Sequence, residues 1–278
     1  LECNFNMSGE TVFHPEDMEL LSQTLCDPKY KTGFDRNLWI WEEYKQGCDY
    51  VLSADVARGD GQDFSTFHIF RLDDFSIVAE YQGKLTPDLF SDMIHQTGKE
   101  YGDCMVVVEN NSVGWGVLTK LQEKNYPNLY YSRKSTHEHV EPYQAEVAGV
   151  VPGFSTTMKT RPLIISKLEE VIRNKMINIR SKRLYNEMKT FVWISGKPQA
   201  MKKHNDDLIM ACAIGCWIKE TAFAVNQRAS DYQKAFLSSM ASAGRMMDTS
   251  IPGMMAYQRR KKEDNKNNYK KHVWVLKG

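Results

Sequence analysis

An α/β fold, a mixed central sheet flanked by helices, is what the sequence predicts, and three features predict it. Two continuous apolar runs, "DYVLSAD" at 49–55 and "CMVVVE" at 104–109, read as buried strands. Between them, "STFHIFRL" and "SIVAEYQG" alternate like strands around the polar turn Asp73-Asp74. Helical patterns are interleaved with these runs, as a sheet covered by helices requires.

Taken in order, residues 1–48 are mixed. "PEDMELLSQTL" reads as a short helix, and the aromatics of "NLWIWEEY" need a surface to pack on. After the two alternating strands, "TPDLFSDMIHQTGKEYG" reads as a helix capped by Thr86. "GWGVLTKLQEKN" is a second helix and "NLYYSR" a further strand, while 134–160 reads as loop. A helix over 161–174, the segment "MINIRSKRLYNEMKTFVWI" and a Gly-Lys-Pro turn lead to a strong final helix, "NDDLIMACAIGCWIKETAFA". Beyond 228 the chain turns polar, Met/Ser-rich and then basic. The expected organisation is a folded domain over 1–228, with 1–48 as linker and extension, and a mobile tail over 229–278.

With 278 residues, 42% of them hydrophobic and 26% charged, the chain can bury a sizeable core. Its longest apolar run, "LIMACAIGCWI", is too short to cross a bilayer, and "LECNFNMSGE" lacks the basic-then-apolar order of a signal peptide, so no membrane role is expected. Six cysteines without a CxxC pair indicate neither a zinc ribbon nor a disulfide framework; Cys212 and Cys216 read as small core residues. The net charge of +1 conceals a partition. Residues 159–203 carry twelve Lys/Arg against Glu169, Glu170 and Glu187, and 258–278 carry eight against Glu263 and Asp264. The remainder is acidic, an arrangement that fits either metal ligands beside a polyanion or a solvated charged surface.

The acidic residues fall at telling places. Asp55 ends one apolar strand and Glu109 the other; carboxylates at the same end of neighbouring parallel strands sit side by side, where open α/β sheets bind ligands. The pair Asp206-Asp207 opens the last helix. Hard oxygen ligands on three elements, with no Cys or His cluster, suit Mg²⁺ or Mn²⁺. Each residue also has a plain structural role open to it: an Asx turn for Asp55, a helix cap for Glu109, and favourable helix-dipole charges for Asp206 and Asp207. The turn after Asp55 holds Gly59, Asp60, Gly61 and Asp63, of which Asp60 reads as loop alone.

In combination, "SADVARGDGQDFS", "VVVENNSVGWGV" and "KKHNDDLIMACAIG" resemble the nuclease domain of the tailed-phage large terminase subunit, the DNA-packaging protein, especially the contractile-tailed phage type. The resemblance covers about residues 1–228. It implies an RNase H-like fold of the resolvase/integrase type and metal-dependent cutting of concatemeric double-stranded viral DNA by an acidic triad. Carried over by position, Asp55, Glu109 and Asp207 become the catalytic metal ligands of a two-metal Mg²⁺ or Mn²⁺ site. Asp206 becomes an adjacent ligand or orienter, and Asp63 resembles a further acidic position in the first turn. The spacing from His204 resembles the His-x-x-Asp arrangement of some relatives and favours Asp207 over Asp206. The resemblance also implies an ATPase motor domain, portal and small terminase subunit as partners, in the host cell cytoplasm.

No G-x-x-x-x-G-K-[ST] loop occurs, so the chain is not the motor; "LECNF" resembles the linker that follows it, as expected of an isolated C-terminal domain. The basic stretch places the DNA backbone at Arg180, Lys182, Arg183, Lys197, Lys202 and Lys203. Two other classes share some of these features. An actin- or sugar-kinase-like ATPase also uses an acidic strand-turn with glycines, but needs a duplicated fold and a second Gly-rich nucleotide segment, which the sequence lacks. A docking module of the packaging machine would bind without cutting.

Overall fold

The computed structural model describes residues 11–33, 36–133 and 150–219, all within one compact unit, Leu1–Ala224. The tail expected over 229–278 lies outside the described residues. Six strands form the central sheet: β1 (Tyr30–Thr32), β2 (Leu38–Ile40), β3 (Tyr50–Asp55), β4 (Ser65–Arg71), β5 (Ser76–Gly83) and β6 (Met105–Val108). Their order is β1-β2-β5-β4-β3-β6, with β3 and β6 parallel and every other neighbouring pair antiparallel. The mixed sheet is the one expected, and its one parallel pair joins the two apolar runs that end in carboxylates.

Alternation along these strands builds two cores. Leu52, Ala54, Phe67, Ile69, Val106 and Val108 point to one face, where α2 (Pro87–Glu100) and α3 (Gly114–Glu123) bury Phe90, Ile94, Val117, Leu118 and Leu121. Val51, Phe70, Ile77, Met105 and Val107 point to the other face. There they meet α1 (Pro15–Ser22), α4 (Thr160–Arg173), α5 (Lys182–Lys189) and α6, the helix over 207–219. Helix α6 is apolar all round, with Leu208, Ile209, Ile214, Cys212 and Cys216 fully buried, as befits a helix enclosed between sheet and neighbours. Each such Leu or Ile contributes about 1.5–3 kcal/mol of burial.

Three expectations need correction. The stretch before residue 48 is more than an extension, because β1 and β2 complete the edge of the sheet; at three residues each they are too short for periodicity to register. The loop expected over 134–160 contains β8 (Val150–Pro152), which pairs with β7 (Tyr131–Arg133), and Phe154 bridges in parallel to Glu109. Thr86 stands at the start of α2 but its side chain makes no capping bond; Pro87 opens the helix instead. The unassigned segment after α4 resolves into α5, capped by Ser181, and the hairpin of β9 (Phe191–Ile194) and β10 (Lys197–Ala200). Among the described residues no helix is long and apolar enough to cross a membrane.

Candidate metal centre

The same alternation aims the carboxylates. Asp55 follows Val51 and Ser53 in parity, and Glu109 follows Met105 and Val107, so both turn toward the face that α6 covers. Ala54 pairs with Val108 across the parallel strands, and the Glu109 N–H donates to the Ala54 carbonyl at 2.9 Å. Asp55 and Glu109 therefore leave adjacent strands side by side. Gly114, at the start of α3, lets that helix press on the strand end: a Cβ there would lie 1.8 Å from the Glu109 carbonyl oxygen. Asn111 donates to Glu109 Oε1 at 2.9 Å and to the Thr156 carbonyl at 3.0 Å, which fixes one face of that carboxylate.

Helix α6 is stitched to the sheet by side chains that share this face. Ser53 donates to the Ala211 carbonyl at 2.7 Å, Thr66 to the Asp207 carbonyl at 3.0 Å, and His68 Nε2 meets the Leu208 carbonyl at 3.0 Å. These bonds carry the first turn of α6, and Asp207 with it, to the strand ends. Asp207 Oδ2 accepts the Phe64 N–H at 2.8 Å and Asn205 Nδ2 at 3.2 Å; Asn205 also donates to the Gln62 carbonyl at 3.1 Å. The turn that leaves Asp55 is thus pinned to the helix start. Gly59 takes φ +85 within that turn, with its Cα against the Leu85 carbonyl, where a Cβ would come within 2.6 Å.

Crowded carboxylates resist ionising together. Desolvation pushes the Asp55 carboxyl well above its ordinary range, and the charges of Glu109, Asp207 and Asp206 add to the effect. Desolvation likewise lifts Asp207 to about 6, against the two N–H donors that favour its charged form. Asp206, its neighbour in sequence, instead forms an ion pair with Arg161 of α4. Asp63 is exposed on the turn and contributes charge to the surroundings of Asp207. Among the described residues no three or more His, Cys, Asp or Glu side chains are gathered as a ready-made metal cage. The donor set still fits a hard divalent cation: carboxylates on three elements, two of them at the ends of adjacent parallel strands, where the charge of one opposes ionisation of the other.

The basic residues named from the sequence divide. Lys197, Lys202 and Lys203 are exposed, the last two within four residues of Asp206. Arg180 pairs with Glu42 at 2.5 Å, Lys182 with Asp27 at 2.9 Å, and Arg183 with the buried Glu80 at 2.8 Å. Their charges are met within the protein. Composition could not show this, because the acidic partners lie far away in sequence.

Glu187 was counted from sequence only as a charge, yet it caps the helix that carries Asp207. Its Oε2 accepts the N–H groups of Leu208 and Ile209 at 3.0 and 3.3 Å, while Oε1 accepts Gln82 Nε2 at 2.9 Å. Burial first, then the charge of Asp207, pushes its carboxyl up to about 9. A raised carboxyl pKa means that the folded chain keeps a proton the unfolded chain has lost. Stability in the presence of EDTA is therefore expected to fall as pH rises from about 4.5 towards 9, and Glu187→Gln should flatten that fall by at least about 1 kcal/mol. Urea melts at several pH values check this; parallel wild-type and variant curves would show that Glu187 does not titrate in this window.

No protein-family model matches the chain. Solved structures similar to it include the large terminase nuclease of thermophilic phage G20c with bound magnesium, at TM-score 0.57 and 16% identity, covering 76% of this chain and 97% of that one. The same nuclease with bound cobalt gives TM-score 0.57 and 18% identity over the same shares. The Thermus phage P74-26 large terminase nuclease domain gives TM-score 0.52 and 18% identity, covering 71% of this chain and 92% of that one. With its mixed six-stranded sheet between two helical layers, the chain has the RNase H-like fold of these large terminase nuclease domains.

Proposed function

We propose that the chain is a metal-dependent endonuclease that cuts concatemeric double-stranded viral DNA during genome packaging. The observation that carries this reading is the meeting of Asp55 and Glu109 at adjacent parallel strand ends beneath the Asp207 end of α6, with the charges of Glu109 and Asp207 opposing that of Asp55. The fold, shared with terminase nucleases solved with magnesium and cobalt, supports it.

In this reading Asp55 and Glu109 hold Mg²⁺ or Mn²⁺, and Asp207 completes the set from the helix. When two ions are bound, they supply Lewis acidity, which lowers the pKa of an attacking water and stabilises the leaving 3′ oxygen. The chain's own part is positioning. Asn111 holds the Glu109 carboxylate, Asn205 and the Phe64 N–H hold that of Asp207, and the Glu187 cap fixes the helix. Arg161 neutralises Asp206, so that the approaching phosphate meets one uncompensated charge fewer. Exposed Lys197, Lys202 and Lys203 attract the DNA backbone. No side-chain nucleophile is required. The motor domain, portal and small terminase subunit are the partners this role entails, in the host cytoplasm.

Supercoiled plasmid tests the proposal. The chain is expected to nick and linearise it with Mg²⁺ or Mn²⁺, to stop on EDTA addition, and to hydrolyse no ATP above background. Cleavage should weaken steeply as salt rises, because binding releases condensed counterions. DNA-stimulated ATP hydrolysis lost in Asp55→Asn would favour the actin-like class, and tight DNA binding without metal-dependent cutting would favour the docking module.

A further inference from the structure

The end of the sheet that carries Asp55 does not stop at the carboxylates. Register places Thr66 opposite Asp55, Gly83 opposite Ser65, Leu38 opposite Tyr81 and Thr32 opposite Leu38. The same sheet end thus runs from β3 through β4 and β5 to β2 and β1. Along it lies a groove of about 720 Å³, lined among others by Lys31, Arg36, Trp39, Phe64, Lys84 and Arg183. Among the described residues no carboxylate lines it.

Its cations are held on rings. Lys31 Nζ stands 4.3 Å and the Arg183 guanidinium 3.9 Å from the centre of the Trp39 ring, and Lys84 Nζ stands 5.1 Å from that of Phe64. Arg183 is anchored by Glu80, but no ion pair with a described residue engages Lys31 or Lys84. Rings that seat ammonium groups leave little face for a base to stack on, while fixing the charges for a row of anions. Phe64 joins the groove to the metal centre, since its ring lies under Lys84 while its N–H bonds Asp207.

We propose that this groove is a second DNA site, which holds the phosphate backbone of the duplex flanking the scissile bond. The proposal takes its ligand from the nuclease reading above. Strands about 4.8 Å apart put the groove's lining, on β5, β2 and β1, about 10–19 Å from Asp55. That is about three to six base-pair steps at about 3.4 Å each.

The test compares wild type with the double variant Lys31→Ala/Lys84→Ala, both positions exposed, on two labelled duplexes. One extends well past the groove and the other ends within two base pairs of the cleavage site. With the long duplex the variant should bind more weakly, and its log–log salt slope should be shallower by about 2, the count of phosphate contacts removed. With the short duplex the two proteins should bind alike, and their melting temperatures should agree. Equal affinity and slope on the long duplex would overturn the groove, as would an equal loss on both duplexes. If wild type binds DNA but never cuts it with Mn²⁺, the nuclease reading fails while the groove is still decided by the slopes. A wild type that binds no DNA overturns both.

Discussion

Asp55→Asn is expected to abolish plasmid cleavage, by about 10³-fold or more, and at the same time to stabilise the metal-free chain. The rate loss follows from the charge removed: a metal ion's stabilisation of the transition state amounts to several kcal/mol, and each 1.36 kcal/mol is a factor of ten. The stability gain follows from linkage. With its folded pKa raised above the unfolded value of 3.8, Asp55 weakens the fold progressively as pH rises from that value through the folded one, and the loss persists above it. Asparagine cannot ionise, so at pH 8 in EDTA the variant should be the more stable by about 1 kcal/mol or more, and the two proteins should converge towards pH 3. Saturating Mn²⁺ should then stabilise wild type and leave the variant almost unmoved. Denaturant melts with and without metal, beside the cleavage assay, measure all of this. A variant that cuts at near the wild-type rate would remove Asp55 from the ligand set.

The second large effect is steric. Gly114→Ala puts a methyl group 1.8 Å from the Glu109 carbonyl oxygen, a backbone atom at a strand end that has little freedom to yield. The first turn of α3 must lift, taking with it the packing that sets the Glu109 side chain. Overpacking of this kind costs about 1–3 kcal/mol, and cleavage should fall with it. Gly116→Ala is the matched control. It lies one half-turn on in the same helix, a Cβ there meets nothing within 4 Å, and alanine should stabilise by about 0.5–1 kcal/mol. Opposite signs for two neighbouring Gly→Ala changes would locate the constraint at the strand end; equal signs would mean that α3 docks otherwise.

How much of this arrangement was legible in the sequence comes down to where the partners lie. The placement of Asp55 and Glu109 at neighbouring strand ends could be read because each directly follows a continuous apolar run, and a buried parallel pair is the arrangement such runs favour. The place of Asp207 could be read because it opens an apolar helix. That Asp206 and Asp207 part company was not legible: one reaches Arg161 and the other the Phe64 N–H, contacts set by the docking of α4 and of the 56–64 turn. Glu187 left no local signal, since its partners are backbone N–H groups about twenty residues on. The basic stretch showed its charge but not its pairing, with Glu42 and Glu80 more than a hundred residues from Arg180 and Arg183. The groove was missed for the reverse reason. Of its cations only Arg183 belongs to the basic stretch; Lys31 and Lys84 lie far from it in sequence, where no run of charge marks them.

Crystals soaked in Mn²⁺ and measured for its anomalous scattering test the central claim most directly. The account predicts at least one strong peak bounded by the carboxylates of Asp55, Glu109 and Asp207, at metal–oxygen distances of about 2.0–2.6 Å, absent from crystals of Asp55→Asn. A chain that cleaves DNA with Mn²⁺ while its anomalous peaks lie elsewhere, with no metal at the carboxylates of Asp55 and Glu109, would contradict it.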